Sequence, residues 1–180
     1  MVDLVTQYQR LKPEIDSAMQ AVINRAAFIS GPEVKLFATE LEQYLKINHV
    51  VPCANGTDAL QIALMALNLP EGAEVLVPCF NYVATAEVIA LLKLKPVFVE
   101  VEDQYYGIDV NKLESYLTPN TKVIMPVHLF GQCANMEAVL AFAQKHNLYV
   151  VEDVAQAIGA KFTFSDGTVK TAGSMGHIGT

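Results

Sequence analysis

The sequence predicts an α/β protein, a three-layer αβα sandwich built on a mostly parallel sheet. Three observations predict it. Short apolar runs recur at Val75–Val77, Val97–Val101, Val123–Val127 and Leu148–Val151. Segments of helical character fill the gaps between them, at about Val83–Lys93, Val110–Leu117 and Met136–His146. That alternation is the pattern of βαβ units. The runs are Val/Ile/Leu-rich without polar alternation, as strands covered on both faces require.

Each element has its own signal. Two helices precede the sheet, about Pro13–Ala26 and Glu33–Lys46. Ser30-Gly31-Pro32-Glu33 breaks and restarts the chain between them, with Pro32 suited to a first helical turn. Residues 1–48 therefore read as N-terminal helices and 49–180 as a large domain. Val50–Ala54 reads as a strand leaving the core. Thr57–Leu69 and Val83–Leu92 are apolar nearly all round, so both predict helices that need burial on most sides, for which 180 residues leave little room, and this points to a second domain, a second subunit or both as partners. Val110, Leu113 and Leu117 form a one-sided stripe, as do Met136, Val139, Leu140 and Ala143, which places those two helices on a surface. Phe162–Phe164 and Thr168–Lys170 flank Ser165-Asp166-Gly167, a hairpin signal. Nothing around Gly173–Thr180 resembles a domain's end. The expectation is the N-terminal part of a longer protein, with the last strands and a small C-terminal domain beyond it.

Composition narrows the function classes. The chain has 180 residues, is 52% hydrophobic and carries a net charge of −7. It is globular, and no basic run suits a nucleic-acid backbone. Cys53, Cys79 and Cys133 match no zinc spacing and read as reduced cytoplasmic thiols, so no metal is expected. The N-terminus has no signal-peptide form, and no apolar run reaches the ~18–20 residues of a membrane span.

Three loops carry candidate chemistry. Leu148–Val151 runs into Glu152-Asp153, and a carboxylate at the carboxyl end of a parallel strand faces the ligand crevice of open α/β sheets. Asp153 could equally be a turn former. Asn55-Gly56-Thr57-Asp58 opens a helix whose free N–H groups attract phosphate, or are simply capped by Asn55 or Thr57. Asp58 counts mildly against a phosphate through its charge. Pro78–Ala86 follows a strand, and Phe80 or Tyr82 could stack on a flat heteroaromatic ring, or pack in the core. An anion end, an aromatic face and a carboxylate for a ring nitrogen together fit pyridoxal 5′-phosphate, whose protonated ring draws electrons from a substrate carbanion.

Ser30–Glu33, Ala54–Leu60, Ala84–Glu87, Pro126–Gln132 and Glu152–Gln156 occur in an order that closely resembles the DegT–StrS family of sugar aminotransferases, which share the aspartate aminotransferase fold. Cys53–Gln61 and Gly131–Ala134 look most like members acting on UDP-linked 3-keto amino sugars. The resemblance implies that Gly56, Thr57 and Asp58, the last through its backbone, hold the cofactor phosphate. It implies that Tyr82 stacks on the ring, Asp153 pairs with the ring nitrogen, Ala155 lies against the opposite face and Gln156 meets the phenolic oxygen. Ser30 and Gly31 would lie near the sugar. His128 is expected to be a buried, hydrogen-bonded structural histidine. The glycine-rich Gly173–Gly179 is no P-loop, since no lysine follows in the required register.

The family anchors its cofactor through a lysine a few residues beyond that glycine-rich segment. Lys161 and Lys170 do not match it, so the chain alone is expected not to transaminate. The implied reaction moves an amino group from a donor, glutamate, to the keto group of a nucleotide-linked sugar, in a cytoplasmic homodimer. Three alternatives stand beside it. A dehydratase of the same family carries histidine in place of the lysine. A Rossmann oxidoreductase would need G-x-G-x-x-G where Ala54–Ala59 stands. A non-catalytic cofactor-binding or assembly fragment is the third.

Overall fold

The computed structural model describes residues 2–180; Met1 lies outside them. The chain forms two compact units.

The first unit is helical. Helix α1 spans Leu4–Arg25, starting well before the predicted Pro13, which falls inside it. Its start is set upstream, where the Asp3 carboxylate accepts the Thr6 N–H at 3.0 Å and caps the first turn. Helix α2 spans Pro32–Leu45 and begins on Pro32, as the break signal predicts. Between the helices Ser30 has φ 50°, and an added Cβ on Gly31 would stand 2.4 Å from the Ala27 carbonyl oxygen. The chain turns there only because Gly31 lacks a side chain. Arg25 pairs with Glu33 across the break. The strand expected at Val50–Ala54 does not form. Val51 is 76% exposed, and Pro52 has no N–H to give a ladder.

The second unit holds Leu45–Ile47 and Cys53–Thr180. Its strands are β1 (Glu74–Pro78), β2 (Lys95–Val99), β3 (Thr121–Ile124), β4 (Tyr149–Glu152), β5 (Lys161–Thr163), β6 (Val169–Thr171) and β7 (Ile178–Gly179). Five form one parallel sheet in the order β2–β1–β3–β4–β7, while β5 and β6 make the predicted antiparallel hairpin. The hairpin turn closes with the Gly167 N–H on the Phe164 carbonyl, Gly167 at φ 84°.

Alternate strand residues serve two cores. Val75, Val77, Val123 and Val151 pack with Leu60, Ala63 and Leu64 of α3 (Gly56–Ala66) and with Val88 and Ile89 of α4 (Ala84–Leu91). Leu76, Ile124 and Val150 pack on the other side with Met136, Val139 and Phe142 of α5 (Met136–His146). Helices thus cover both faces of the sheet, the predicted three layers. Helix α5 keeps its predicted bounds, between Asn135, which caps the Ala138 N–H at 3.2 Å, and Asn147 at φ 54°.

One further expectation is corrected. Val110–Tyr116 is a 3₁₀ segment, not an α-helix. Its three-residue period aligns Val110, Leu113 and Tyr116, and Asp109 takes the Asn111 N–H to start it. Helix α3 leaves Ile62 and Met65 44% and 58% exposed, the kind of apolar surface for which the sequence calls for a partner.

Candidate functional site

All five strands of the main sheet are parallel, so their carboxyl ends share one edge. The chain leaves β1 for β2 on one side and later returns through β3 on the other. The crevice at such a switch point is where open α/β sheets hold ligands. The loops after β1, β3 and β4 meet there.

Asp153 follows β4 and is 5% exposed. Its Oδ2 accepts the Thr85 hydroxyl at 2.7 Å, and its Oδ1 accepts the Ala155 N–H at 3.2 Å. Thr85 stands in the first turn of α4, which begins right after the loop carrying Tyr82. Each carboxylate oxygen thus has one neutral donor and a free lone pair. Among the described residues no Lys, Arg or His pairs with Asp153, although charged groups this deeply buried are ordinarily paired.

The Asn55–Asp58 turn lies beside it. An ideal Cβ on Gly56 would stand 3.9 Å from the Ala155 Cβ, so the turn and the segment after Asp153 are in van der Waals reach. Asn55 is the N-cap of α3. Its Oδ1 accepts the Asp58 N–H at 2.9 Å, and its Nδ2 donates to the Asp58 carboxylate at 3.1 Å. The capping reading of the turn is realised by Asn55. The Asp58 N–H, expected to face a phosphate, is taken by the cap. The Gly56 and Thr57 N–H groups and the Thr57 hydroxyl have no partner among the described residues. Asn55 also holds the Asp58 charge, the group that would repel an anion.

Gln156 is oriented by the loop after β3. Its Oε1 accepts the Phe130 N–H at 3.0 Å, which leaves its amide NH₂ as the end able to meet another acceptor. Phe130 has φ 55° and Gly131 φ 85°, a local turn that presents this N–H. Tyr82 is 70% exposed, so its ring is available at the edge and does not pack in the core. Phe80 instead pairs with Tyr106, ring centroids 5.7 Å apart. Ser30 and Gly31 belong to the helical unit. A cavity of about 420 Å³ bounded by Tyr105, Ile108, Leu129, Cys133 and Phe162 contains none of the predicted site residues.

His128 is fully buried. Its Nε2 meets Glu152 Oε2 at 2.9 Å and its Nδ1 accepts the Ala134 N–H at 3.1 Å. Glu152, also fully buried, gathers the backbone N–H groups of Gly173, Met175 and Gly176 as well. Burial pushes its carboxyl up, but His128 and the Gly176 and Gly173 N–H groups outweigh that and hold it below the usual 4.5. Burial first, and the Glu152 charge second, push the Cys133 thiol up. Sequence reasoning gave no role to Thr85, Glu152 or the Phe130 N–H. Thr85 had a legible signal, a polar residue in the first turn of an otherwise apolar helix. The Phe130 N–H, a backbone group in an irregular turn, had none.

A model of the DegT/DnrJ/EryC1/StrS aminotransferase family matches residues 9–180. The chain belongs to that family. It is 45% identical over 161 residues to the UDP-2-acetamido-2-deoxy-3-oxo-D-glucuronate aminotransferase of Pseudomonas aeruginosa, covering 89% of this chain and 45% of that protein. It is 42% identical over 179 residues to the UDP-N-acetyl-3-dehydro-alpha-D-glucosamine 3-aminotransferase of Acidithiobacillus ferrooxidans, covering 99% and 47%. A crystal structure of a DegT DnrJ EryC1 StrS aminotransferase from Brucella abortus superposes with TM-score 0.90 at 38% identity, over 99% of this chain and 48% of that one. The chain spans about half the length of the curated relatives it matches. DegT family aminotransferases depend on pyridoxal 5′-phosphate. The buried, cation-free Asp153, the two free N–H groups of the α3 turn and the directed amide of Gln156 suit that molecule's cationic ring nitrogen, phosphate and phenolate.

Proposed function

We propose that this chain supplies the cofactor-binding part of an aminotransferase that transfers an amino group to the keto group of a nucleotide-linked sugar. The observation that carries the reading is Asp153: a nearly buried carboxylate with two neutral donors, no cation, and the α3 turn beside it. Bound there, pyridoxal phosphate supplies an electron sink for the carbanion formed at the amino-bearing carbon. Asp153 holds the proton on the ring nitrogen through a charge-assisted hydrogen bond. Thr85 and the Ala155 N–H fix the carboxylate's direction. Gly56 and Thr57 present N–H groups to the phosphate at the positive end of α3. Tyr82 and Ala155 limit the ring from its two faces, and Gln156 donates to the phenolic oxygen.

The relatives support a substrate class. Two that match most of the chain are named for UDP-linked 3-keto sugars, which favours that class here. Glutamate is the proposed amino donor, and Ser30 and Gly31 the proposed sugar contacts. The assembly is a cytoplasmic homodimer, in keeping with three free thiols and with the exposed apolar side chains of α3.

The test is a pyridoxal phosphate titration of the wild-type protein and of Asp153→Asn, followed by cofactor absorbance. Loss of a charge-assisted bond of ~1.5–3 kcal/mol weakens binding roughly ten- to hundredfold. Equal affinity in the two proteins removes the basis of the reading.

A further inference from the structure

The loops around Asp153 are fastened by a second acid that faces away from the crevice. Successive side chains of a strand point to opposite faces, so Glu152 and Asp153 diverge. Glu152 Oε1 accepts the Met175 N–H at 2.7 Å and the Gly176 N–H at 2.6 Å. Its Oε2 accepts the Gly173 N–H at 3.0 Å and meets His128 Nε2 at 2.9 Å. The Ala134 N–H can only donate, so His128 Nδ1 is an acceptor, the ring proton sits on Nε2, and the ring donates to Glu152. All four acceptor sites of the carboxylate are filled.

The same residues frame the candidate site in their backbones. The His128 N–H donates to the Asp153 carbonyl at 3.0 Å, and the Asp153 N–H to the Pro126 carbonyl at 3.0 Å. The ring of His128, through Ala134, closes the 128–134 loop, whose Phe130 N–H orients Gln156. The Glu152 carbonyl accepts both the N–H and the hydroxyl of Thr180 at 2.9 Å, and the Thr180 carbonyl takes the Val154 N–H at 2.9 Å. Gly176 can lie this close to β4 only without a side chain, since a Cβ would stand 2.9 Å from the Val150 oxygen.

We propose that Glu152 and His128 are a positioning pair, which locks the 128–134 loop and the 173–176 segment against β4 and so fixes the direction of Asp153 and Gln156 toward a pyridoxal-type ligand. The inference rests on the cofactor reading above. It assigns the pair no contact with ligand. Its effect passes through the peptide frame of Asp153 and through the Phe130–Gln156 hydrogen bond.

The discriminating variant is Glu152→Gln. It keeps the shape, but its NH₂ must face either the Met175 and Gly176 N–H groups or the Gly173 N–H and the His128 ring proton. His128 cannot relieve the conflict, because its other nitrogen is committed to Ala134. The control is Glu74→Gln, a carboxylate that is also buried but less deeply, held by Lys95, Thr118 and Thr121 at the opposite edge of the sheet. Pyridoxal phosphate affinity and melting temperature are measured for the wild type and both variants, well below the transitions. The expected result is that both variants lose stability, while only Glu152→Gln binds the cofactor about tenfold more weakly. Unchanged affinity in Glu152→Gln overturns the proposal and leaves the cofactor reading standing, whereas no binding by the wild type removes both. Should Glu152→Gln fail to fold, amide exchange in the wild type decides. The Ala134, Gly173, Met175 and Gly176 amides are expected to open with one shared protection factor. Independent opening of Ala134 and the glycine-rich amides overturns the pair.

Discussion

Two glycines show how different the demands at single positions are. A Cβ at Gly179 would stand 2.3 Å from the Gly173 oxygen and 2.5 Å from its Cα, so Gly179→Ala forces the backbone of two packed segments apart. The expected cost is about 1–3 kcal/mol, the range of overpacked sites, read by urea denaturation. At Gly56 the nearest atom to an added Cβ is the Ala155 methyl at 3.9 Å, ordinary contact. Gly56→Ala should therefore leave stability within about 0.5 kcal/mol, as for benign surface changes. With the phosphate on this turn as proposed, the added methyl would crowd it, so pyridoxal phosphate affinity should drop severalfold in a titration. An unchanged affinity would place the phosphate elsewhere. The burial of Asp153 agrees with its place at the end of an apolar strand, but that place alone also suits a turn former; only the neighbouring loops in the sequence favour a ligand. The sequence leaves the Asp58 N–H open between two uses because an N-cap and a phosphate compete for the same donors, and here Asn55, three residues away, takes it.

Elements were legible where one local signal governs them. Helix α5 has a capping asparagine, an apolar stripe and a left-handed asparagine at its end, and its bounds are as read. Val110–Tyr116 has a stripe compatible with spacings of three or four, and so short a run can settle as 3₁₀. Strand β7 was missed because two residues carry no periodicity; it exists through tertiary pairing with Val151 and Glu152. Its neighbouring glycine-rich segment hangs on one carboxylate, which makes it sensitive to acid. The Glu152 carboxyl is held below its ordinary 4.5 in the folded chain. A depressed folded value adds stability above the unfolded value and loses it as pH falls through the folded one. The His128 ring is hydrogen-bonded to this carboxylate, and burial first, then the Glu152 charge, push the Cys133 thiol up. Amide protection at Gly173, Met175 and Gly176 should hold above pH 4.5 and decline below it, ahead of protection in β1 and β3. Exchange measured by NMR across that range checks the order of loss.

The whole molecule follows from hydrophobic sequence order more than from any single element. Four apolar runs separated by helices specify a parallel sheet covered on both faces, and Val75/Leu76 and Val123/Ile124 divide between the two cores as strand geometry requires. The order β2–β1–β3–β4–β7 is a tertiary outcome that no run contains. Neither does any run say which apolar residues stay outside. Ile62 and Met65 of α3 are 44% and 58% exposed in a helix whose apolar surface calls for burial on most sides. Ile62 and Met65 stand three residues apart on the helix, between the positions of the buried Leu60, Ala63 and Leu64, and such an exposed apolar pair suits association with a second copy. The wild-type protein is then expected to sediment as a dimer at micromolar concentration. Changing both side chains, as Ile62→Lys with Met65→Lys, puts charge on that face without touching the α3 core. The variant should sediment as a monomer while its unfolding free energy shifts by no more than about 1 kcal/mol, since exposed substitutions away from packed features cost little. A dimer that survives both lysines would move the interface away from α3.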